Sequence, residues 1–232
     1  MQGLPVEEAA GNMRADRRVG RFLTTMPSQQ IRAQNRYRRI LDAALRVFSR
    51  RGYRDASVDE IADESQTSKG GVYFHFPGKE AIFLALLDRT AERLRTKINE
   101  AMTTHDDPIA KADAALMAVL HTFAKHRALA RLFMVEALGA GREFHQRSVE
   151  IRGEFAGIIQ GHLDDAVRQG VIEPVDTEIA GRAWFGALNE VITGWVLAGR
   201  PERLEDAYAA LRPLLMRGVG ATERPREPVE ER

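Results

Sequence analysis

Apolar residues in this chain return every three or four positions and do not settle into steps of two. The clearest run begins at Lys79, where Ile82, Phe83, Leu86, Leu87, Leu94, Ile98 and Met102 lie on one continuous helical stripe. A strand needs alternation and β-branched runs, and the sequence offers neither. Gly and Pro fall between the periodic segments, where helices stop. The expected fold is therefore all-α.

A first helix is expected over residues 31–51, with Ile40, Ala44, Val47 and Phe48 on one face and Gly52 as the stop. Ser57 and Glu60 form a Ser-x-x-Glu capping box that opens a short second helix over 58–65 and turns Ile61 and Ala62 inward. Ser68 caps a third over 69–76, ended by Pro77 and Gly78. The long fourth helix follows from Lys79. Asp107 and Pro108 then open a helix to Lys125, and further helices are read at 128–138, 143–169, 176–198 and 202–217. Residues 1–30 read as a flexible basic arm, 31–79 as a three-helix helix-turn-helix unit, 80–217 as a second helical domain, and 218–232 as a disordered tail.

Across 232 residues, 34 Lys plus Arg oppose 33 Asp plus Glu, a net of +1 that by itself argues against a polyanionic partner. The distribution argues the other way. From Arg14 to Arg54 twelve Arg face only Asp16 and Asp42, a net of +10, while residues 55–80 sum to −4 and 81–232 to −3. A basic segment on a slightly acidic body points to an anionic polymer or surface. The absence of Cys removes disulfide scaffolds, thiol catalysis and thiolate metal sites. No secretory signal is read, and the most apolar segment, 183–199, is interrupted by Asn189 and Glu190, so no membrane span is expected and a cytoplasmic location is the default.

Two short helices behind a longer basic one make a helix-turn-helix arrangement. The second of the pair, in TSKGGVYFHFPGKE from Thr67 to Glu80, carries Gly70 and Gly71 in its first turn, at roughly 1 kcal/mol each relative to Ala. Bare backbone there lets the helix N-terminus approach a groove floor or a phosphate, where free N–H groups and the positive dipole end favour an anion. Lys69, Tyr73, His75 and Lys79 supply donors around that approach, and Val72 and Phe76 share the buried face.

Residues 36–80 resemble the DNA-binding domain of the TetR family of transcriptional regulators. The carrying segments are ILDAALRVFSRRGY (Ile40 to Tyr53), SVDEIA (Ser57 to Ala62) and SKGGVYFHFPGKEAIF (Ser68 to Phe83). The resemblance implies that Lys69, Gly70 and Gly71 open a recognition helix at the base edges, that Tyr73 and His75 contact backbone or nearby bases, that Phe74 meets sugar or a thymine methyl, and that Lys79 binds phosphate. Arg36, Ser57 and Ser68 complete the expected DNA contacts. One departure stands out: where the family usually has Gly between the two helices, this chain has Gln66, at a place that calls for left-handed backbone.

Beyond residue 80 the resemblance implies a homodimer whose helical domain holds a small-molecule inducer. Leu188, Ile192 and Trp195, in register with Trp184 at spacings of three and four, are the expected dimer contacts. The inward apolar residues Phe83, Phe123, Phe133, Met134, Phe155, Ile159, Trp184 and Phe185, with His162 and Asn189, suit an apolar effector, although each alone also fits ordinary core. The segment IAGRAWFGALNEVITGWVLAG (179–199) resembles the fatty-acid-responsive branch of the family, which makes acyl-CoA a candidate effector. The expected function is a ligand-responsive regulator, most often a repressor, that binds a palindromic operator as a dimer.

No enzyme, cofactor or metal is expected. There is no HExxH, His121 and His126 stand five apart, and Gly139-Ala140-Gly141 lacks the third glycine of a dinucleotide motif. The rival classes are an enzyme, which needs convergent catalytic residues in recognisable spacing, and a membrane-surface binder built on the basic first helix. For Arg14, Arg17, Arg18 and Arg21, a minor-groove arm and plain disorder both stand.

Overall fold

The computed structural model describes residues 28–136 and 142–221. The expected arm up to residue 27, the expected tail from residue 222 and the glycine break at 139–141 lie outside them. The chain divides into two compact units, residues 1–35 and 36–232. Residues 28–35 of the first are helical.

Among the described residues there are nine α-helices and no strand. α1 is Ser28–Asp55, broken in its last turn by Gly52 at φ 77°, where the sequence places its stop. α2 (Val58–Glu64) opens on the expected capping box: Glu60 N–H donates to Ser57 Oγ, and Ser57 N–H donates to the Glu60 carboxylate. α3 (Lys69–His75) is capped by Ser68, whose Oγ accepts from Gly71 N–H at 3.1 Å. α4 is Lys79–Met102. α5 (Pro108–Lys125) has Asp107 as its cap, accepting from Ala110 N–H.

The next segment departs from expectation. In place of one helix over 128–138, α6 is only Arg127–Arg131 and passes into a π-helical turn, Leu132–Glu136. α7 is Arg142–Arg168 and α8 is Thr177–Ala198, capped by Asp176. A 3₁₀ turn, Leu204–Ala207, leads into α9, Tyr208–Gly218. Among the described residues no helix is long and apolar enough to cross a membrane.

α4 organises the second unit. Its first turns bury Ile82, Phe83 and Leu86 among Ile40, Leu41, Val47 and Phe48 of α1, Ile61 of α2 and Val72 of α3. Its later turns present Leu94, Ile98 and Met102 to the C-terminal helices. Fully burying an aliphatic or aromatic side chain is worth about 1.5–3 kcal/mol, so this one stripe holds both ends of the helix. α7 and α8 form the most extensive helix pair. They approach so closely that a Cβ on Gly181 would stand 2.8 Å from the Ala156 carbonyl oxygen.

Candidate nucleic-acid interface and ligand cavity

α3 presents its outer side to solvent. Lys69 and Gly70 are exposed, as are Tyr73 (46%) and Phe74 (79%), the most exposed of the large apolar residues. Val72 and Phe76 anchor the inner side, with Phe76 stacked on Tyr37 at 4.9 Å. The two glycines differ in why they are there. A Cβ on Gly70 would meet nothing within 4 Å, so no contact among the described residues calls for a glycine there. A Cβ on Gly71 would press to 2.8 Å from Thr67 Cγ2 and 3.2 Å from the capping Ser68 Oγ, so Gly71 has an internal reason.

His75 is half-buried between Tyr37, Phe74 and Phe76, and its Nε2 has no hydrogen-bond partner. Burial, with the Arg36 charge behind it, lowers its pKa, so it is a neutral ring at neutral pH. Ser57 is turned to capping, its hydroxyl 3.2 Å from the Glu60 carboxylate. Lys69 Nζ lies 2.8 Å from Asp59 Oδ1, a pair that raises the lysine pKa and has to open before Lys69 meets another anion.

The structure corrects the expectation for Lys79. Its ammonium donates to the carbonyls of Tyr53, Arg54 and Ala56 at 2.8–2.9 Å and lies 4.8 Å from the centre of the Tyr53 ring. An ammonium has three donors, and all three are used inside the protein. Lys79 closes the C-terminal end of α1, leaving no proton for a phosphate.

The basic block is likewise partly spent. Arg46 and Arg50 both reach Glu64, at 2.7 and 2.8 Å, and draw its carboxyl below the ordinary pKa, while that of Glu60 is lowered first by the Ser57 cap bonds and then by Arg51 at 3.2 Å. Arg36, Arg38, Arg39 and Arg54 are exposed and have no carboxylate partner among the described residues. The charge next to α3 is thus carried by the N-terminal side of the block.

In the C-terminal helices the sequence-picked residues come together. Phe123, Phe133, Met134, Phe155, Ile159, His162, Trp184, Phe185 and Asn189 all line one cavity of about 130 Å³. Phe83 does not. It is fully buried one turn before Leu87, in a cluster with Phe48, Tyr53 and Phe144 at centroid distances of 4.9–5.2 Å, because the α4 stripe changes partners at that point.

The residues expected at the dimer contact have partners inside the protomer. Leu188 and Ile192 line the same cavity. Trp195 is 5% exposed under Arg127, which lies 4.6 Å over its ring and donates to the Trp195 and Val196 carbonyls. An apolar stripe on an amphipathic helix faces its own core first, and that is what the spacing of three and four marked. Ser148 and Arg152 line the cavity too and were missed. They lie on the stripe of Phe155, Ile159 and His162 extended backwards, and a polar pair continuing an apolar register is the signal that finds them.

Among the described residues no three His, Asp or Glu side chains converge as metal ligands. Residues 40–86 match the profile of the bacterial regulatory proteins of the tetR family, and residues 105–219 match that of the tetracyclin repressor-like C-terminal domain. The fatty acid metabolism regulator protein of Bacillus subtilis (strain 168) is 28% identical over 191 residues, covering 79% of this chain and 95% of that protein. The solved fatty acid degradation regulator FadR from Bacillus halodurans is 26% identical with a TM-score of 0.74, covering 78% of this chain and 98% of that one. FadR from Bacillus subtilis in complex with stearoyl-CoA shares the fold at a TM-score of 0.73 and 24% identity, over 81% of this chain and 100% of that one. With both family profiles satisfied in order along its helices, the chain belongs to the TetR family of transcriptional regulators.

Proposed function

We propose that the protein is a homodimeric repressor that binds a palindromic operator and is released by a long-chain acyl effector, an acyl-CoA in the first instance. The division into a DNA-binding part (31–79) and an effector and dimer part (80–217) belongs to the same reading. The carrying observation is the outer side of α3: Phe74 and Tyr73 stand in solvent, Gly70 leaves bare backbone, and Arg36, Arg38 and Arg39 stand unpaired beside the unit. Lys69, Gly70 and Gly71 at the start of α3 would meet base edges, with Ser68, Tyr73, Phe74 and Arg36 on the backbone.

Dimerisation is supported by the outward side of α7 and α8, not by the stripe that lines the cavity. Gly153, Gly157 and Gly161 recur every four residues on α7, with Gly186 and Gly194 on α8, and a Cβ on any of them would meet nothing within 4 Å. Each helical glycine costs about 0.5–1 kcal/mol, and no contact among the described residues needs them. Close approach of the same helices from a second copy gives them a use, with exposed Val149, Ile179 and Leu197 beside them.

The effector reading rests on the cavity's apolar lining and on the stearoyl-CoA held by the related FadR structure. At about 130 Å³ the cavity is well below the roughly 300–1,000 Å³ of occupied ligand sites, so an effector must part its walls. α4 carries that strain to the DNA-binding end: Leu87 to Met102 line the cavity, while Arg89 pairs with Asp42 of α1 at 2.8 Å. Selection from a random-sequence DNA library tests the reading. The enriched sequences are inverted repeats with half-sites about one helical turn or a multiple apart, and palmitoyl-CoA releases them. Enrichment of asymmetric sites, or complexes indifferent to every acyl-CoA length, refutes it.

A further inference from the structure

Among the described residues that line the cavity, only Arg152 carries a charge. Among the described residues it has no carboxylate partner, although acids abound nearby. Asp88, Glu150 and Glu154 are taken by Arg147, and Glu92 and Glu154 by Arg95. One turn before Arg152, Ser148 is 7% exposed, lines the same cavity, and has no hydrogen-bond partner among the described residues. Arg152 and Ser148 thus place a guanidinium and a hydroxyl, neither paired among the described residues, one turn apart in a lining that is otherwise almost wholly apolar.

We infer that Arg152 and Ser148 form the head-group end of the effector site, where they receive the anionic head, carboxylate or phosphate, of an amphiphile whose chain lies along α7 toward His162 and Ala166. This rests on the reading of the cavity as the effector site. A guanidinium offers paired N–H donors that match either oxyanion, and a serine hydroxyl adds a third. The lining from Ser148 to Ala166 spans about 27 Å of helix at 1.5 Å per residue, which sets the direction a long chain would take as it parts the walls. At the far end no lining residue carries a fixed charge, and burial, followed by the nearby Lys111 charge, lowers the His162 pKa.

The placement also gives the head group a short route to the DNA-binding end. Arg152 lies two turns, about 12 Å, from Phe144, whose ring packs on Tyr53 and Phe83. A head group drawn to Arg152 pulls on the part of α7 that touches the aromatic cluster.

The test uses the full chain and three probes of one chain length: myristate, myristoyl-CoA and tetradecanol. Binding is read by fluorescence of the two tryptophans, of which Trp184 lines the cavity. Wild-type protein is expected to favour the better anionic probe over the alcohol by about tenfold or more. Arg152→Gln is expected to bring the two within about threefold by weakening the anion alone, and Arg152→Lys to keep most of the preference. Whether the acid or the thioester is the preferred anion tells carboxylate from phosphate recognition. Equal binding of all three by wild type, or a preference that survives Arg152→Gln, overturns the inference and leaves the effector reading standing. Binding of none of the three overturns both.

Discussion

Gln66 sits at φ 52°, the left-handed backbone that side chains with a Cβ avoid. Its neighbours show why: Gln66 N–H bonds the Asp63 carbonyl and Thr67 N–H the Ala62 carbonyl, the double closure that ends a helix on a glycine. α7 and α9 end by the same closure and place Gly170 and Gly220 there. Gln66→Gly relieves about 1–2 kcal/mol of strain against a smaller gain in unfolded-state entropy, for a rise of about 2 °C in Tm. A lower Tm in calorimetry removes the strain. The paired glycines of α3 predict opposite outcomes. Gly70→Ala leaves the fold as stable or up to about 1 kcal/mol more so, while operator affinity falls. Gly71→Ala disturbs the Ser68 cap and costs about 1 kcal/mol of stability. Equal effects of the two on denaturant midpoints refute the distinction. The sequence shows both glycines alike, because what separates them is how the capping turn at Thr67 and Ser68 packs over the first turn of α3. Acid adds a third residue-scale expectation. His75 and His162 have pKa values below the ordinary 6.5, so the unfolded chain binds protons before the folded one does. Their contribution is whole above pH 6.5 and is lost as pH falls below it, whereas Glu60 and Glu64 add a separate loss only below their ordinary 4.5. A His75→Gln, His162→Gln variant has a flatter Tm profile between pH 7 and about 5.5, and an unchanged slope sinks the assignment.

At the scale of elements, the helices with a strong local cause are those legible in the sequence. Ser57 with Glu60, Ser68, and Asp107 with Pro108 each begin a helix where expected, because a cap is chemistry between residues three apart. The segment after Lys125 was not legible. It breaks into α6 and a π-helical turn whose Phe133 and Met134 line the cavity, and the apolar spacing alone does not distinguish that turn from a continuing helix. Lys79 belongs to the same class. From its neighbours it reads as a free cation at a helix start; its partners are the carbonyls of Tyr53, Arg54 and Ala56, more than twenty residues away. Lys79→Met therefore leaves the end of α1 with unpaired carbonyls and costs about 2–3 kcal/mol, or about 6 °C in Tm. Below its transition the variant retains the wild-type salt dependence of operator binding. A slope lowered by about 1 reinstates a phosphate contact. Three arginines of α1 follow the same logic, since α2 brings Glu60 and Glu64 alongside and turns a basic run into bracing.

At the scale of the whole molecule, each C-terminal helix has two sides with different work, and the sequence exposes only one of them. Leu188 and Ile192 repeat with apolar regularity because they face the protomer's own cavity, whereas the outward side of α7 and α8 is marked by what is missing, the side chains of Gly153, Gly157, Gly161, Gly186 and Gly194. Hydrophobic periodicity finds cores and passes over a contact built on bare backbone. The two contributions of such a glycine have opposite signs, and that makes the pairing surface testable by one methyl group. In an isolated protomer Gly157→Ala raises helix propensity and finds open space, a gain of up to about 1 kcal/mol. In a dimer that brings a second backbone against α7, the same methyl collides. Gly157→Ala is therefore expected to weaken self-association in sedimentation equilibrium, and with it operator affinity, while its protomer unfolds at equal or higher denaturant once dissociated. Gly170→Ala, at a φ of 65° beyond the end of α7, is the contrasting variant: it loses stability through backbone strain and leaves the association constant in place. A Gly157→Ala protein that dimerises as tightly as wild type moves the interface off this face.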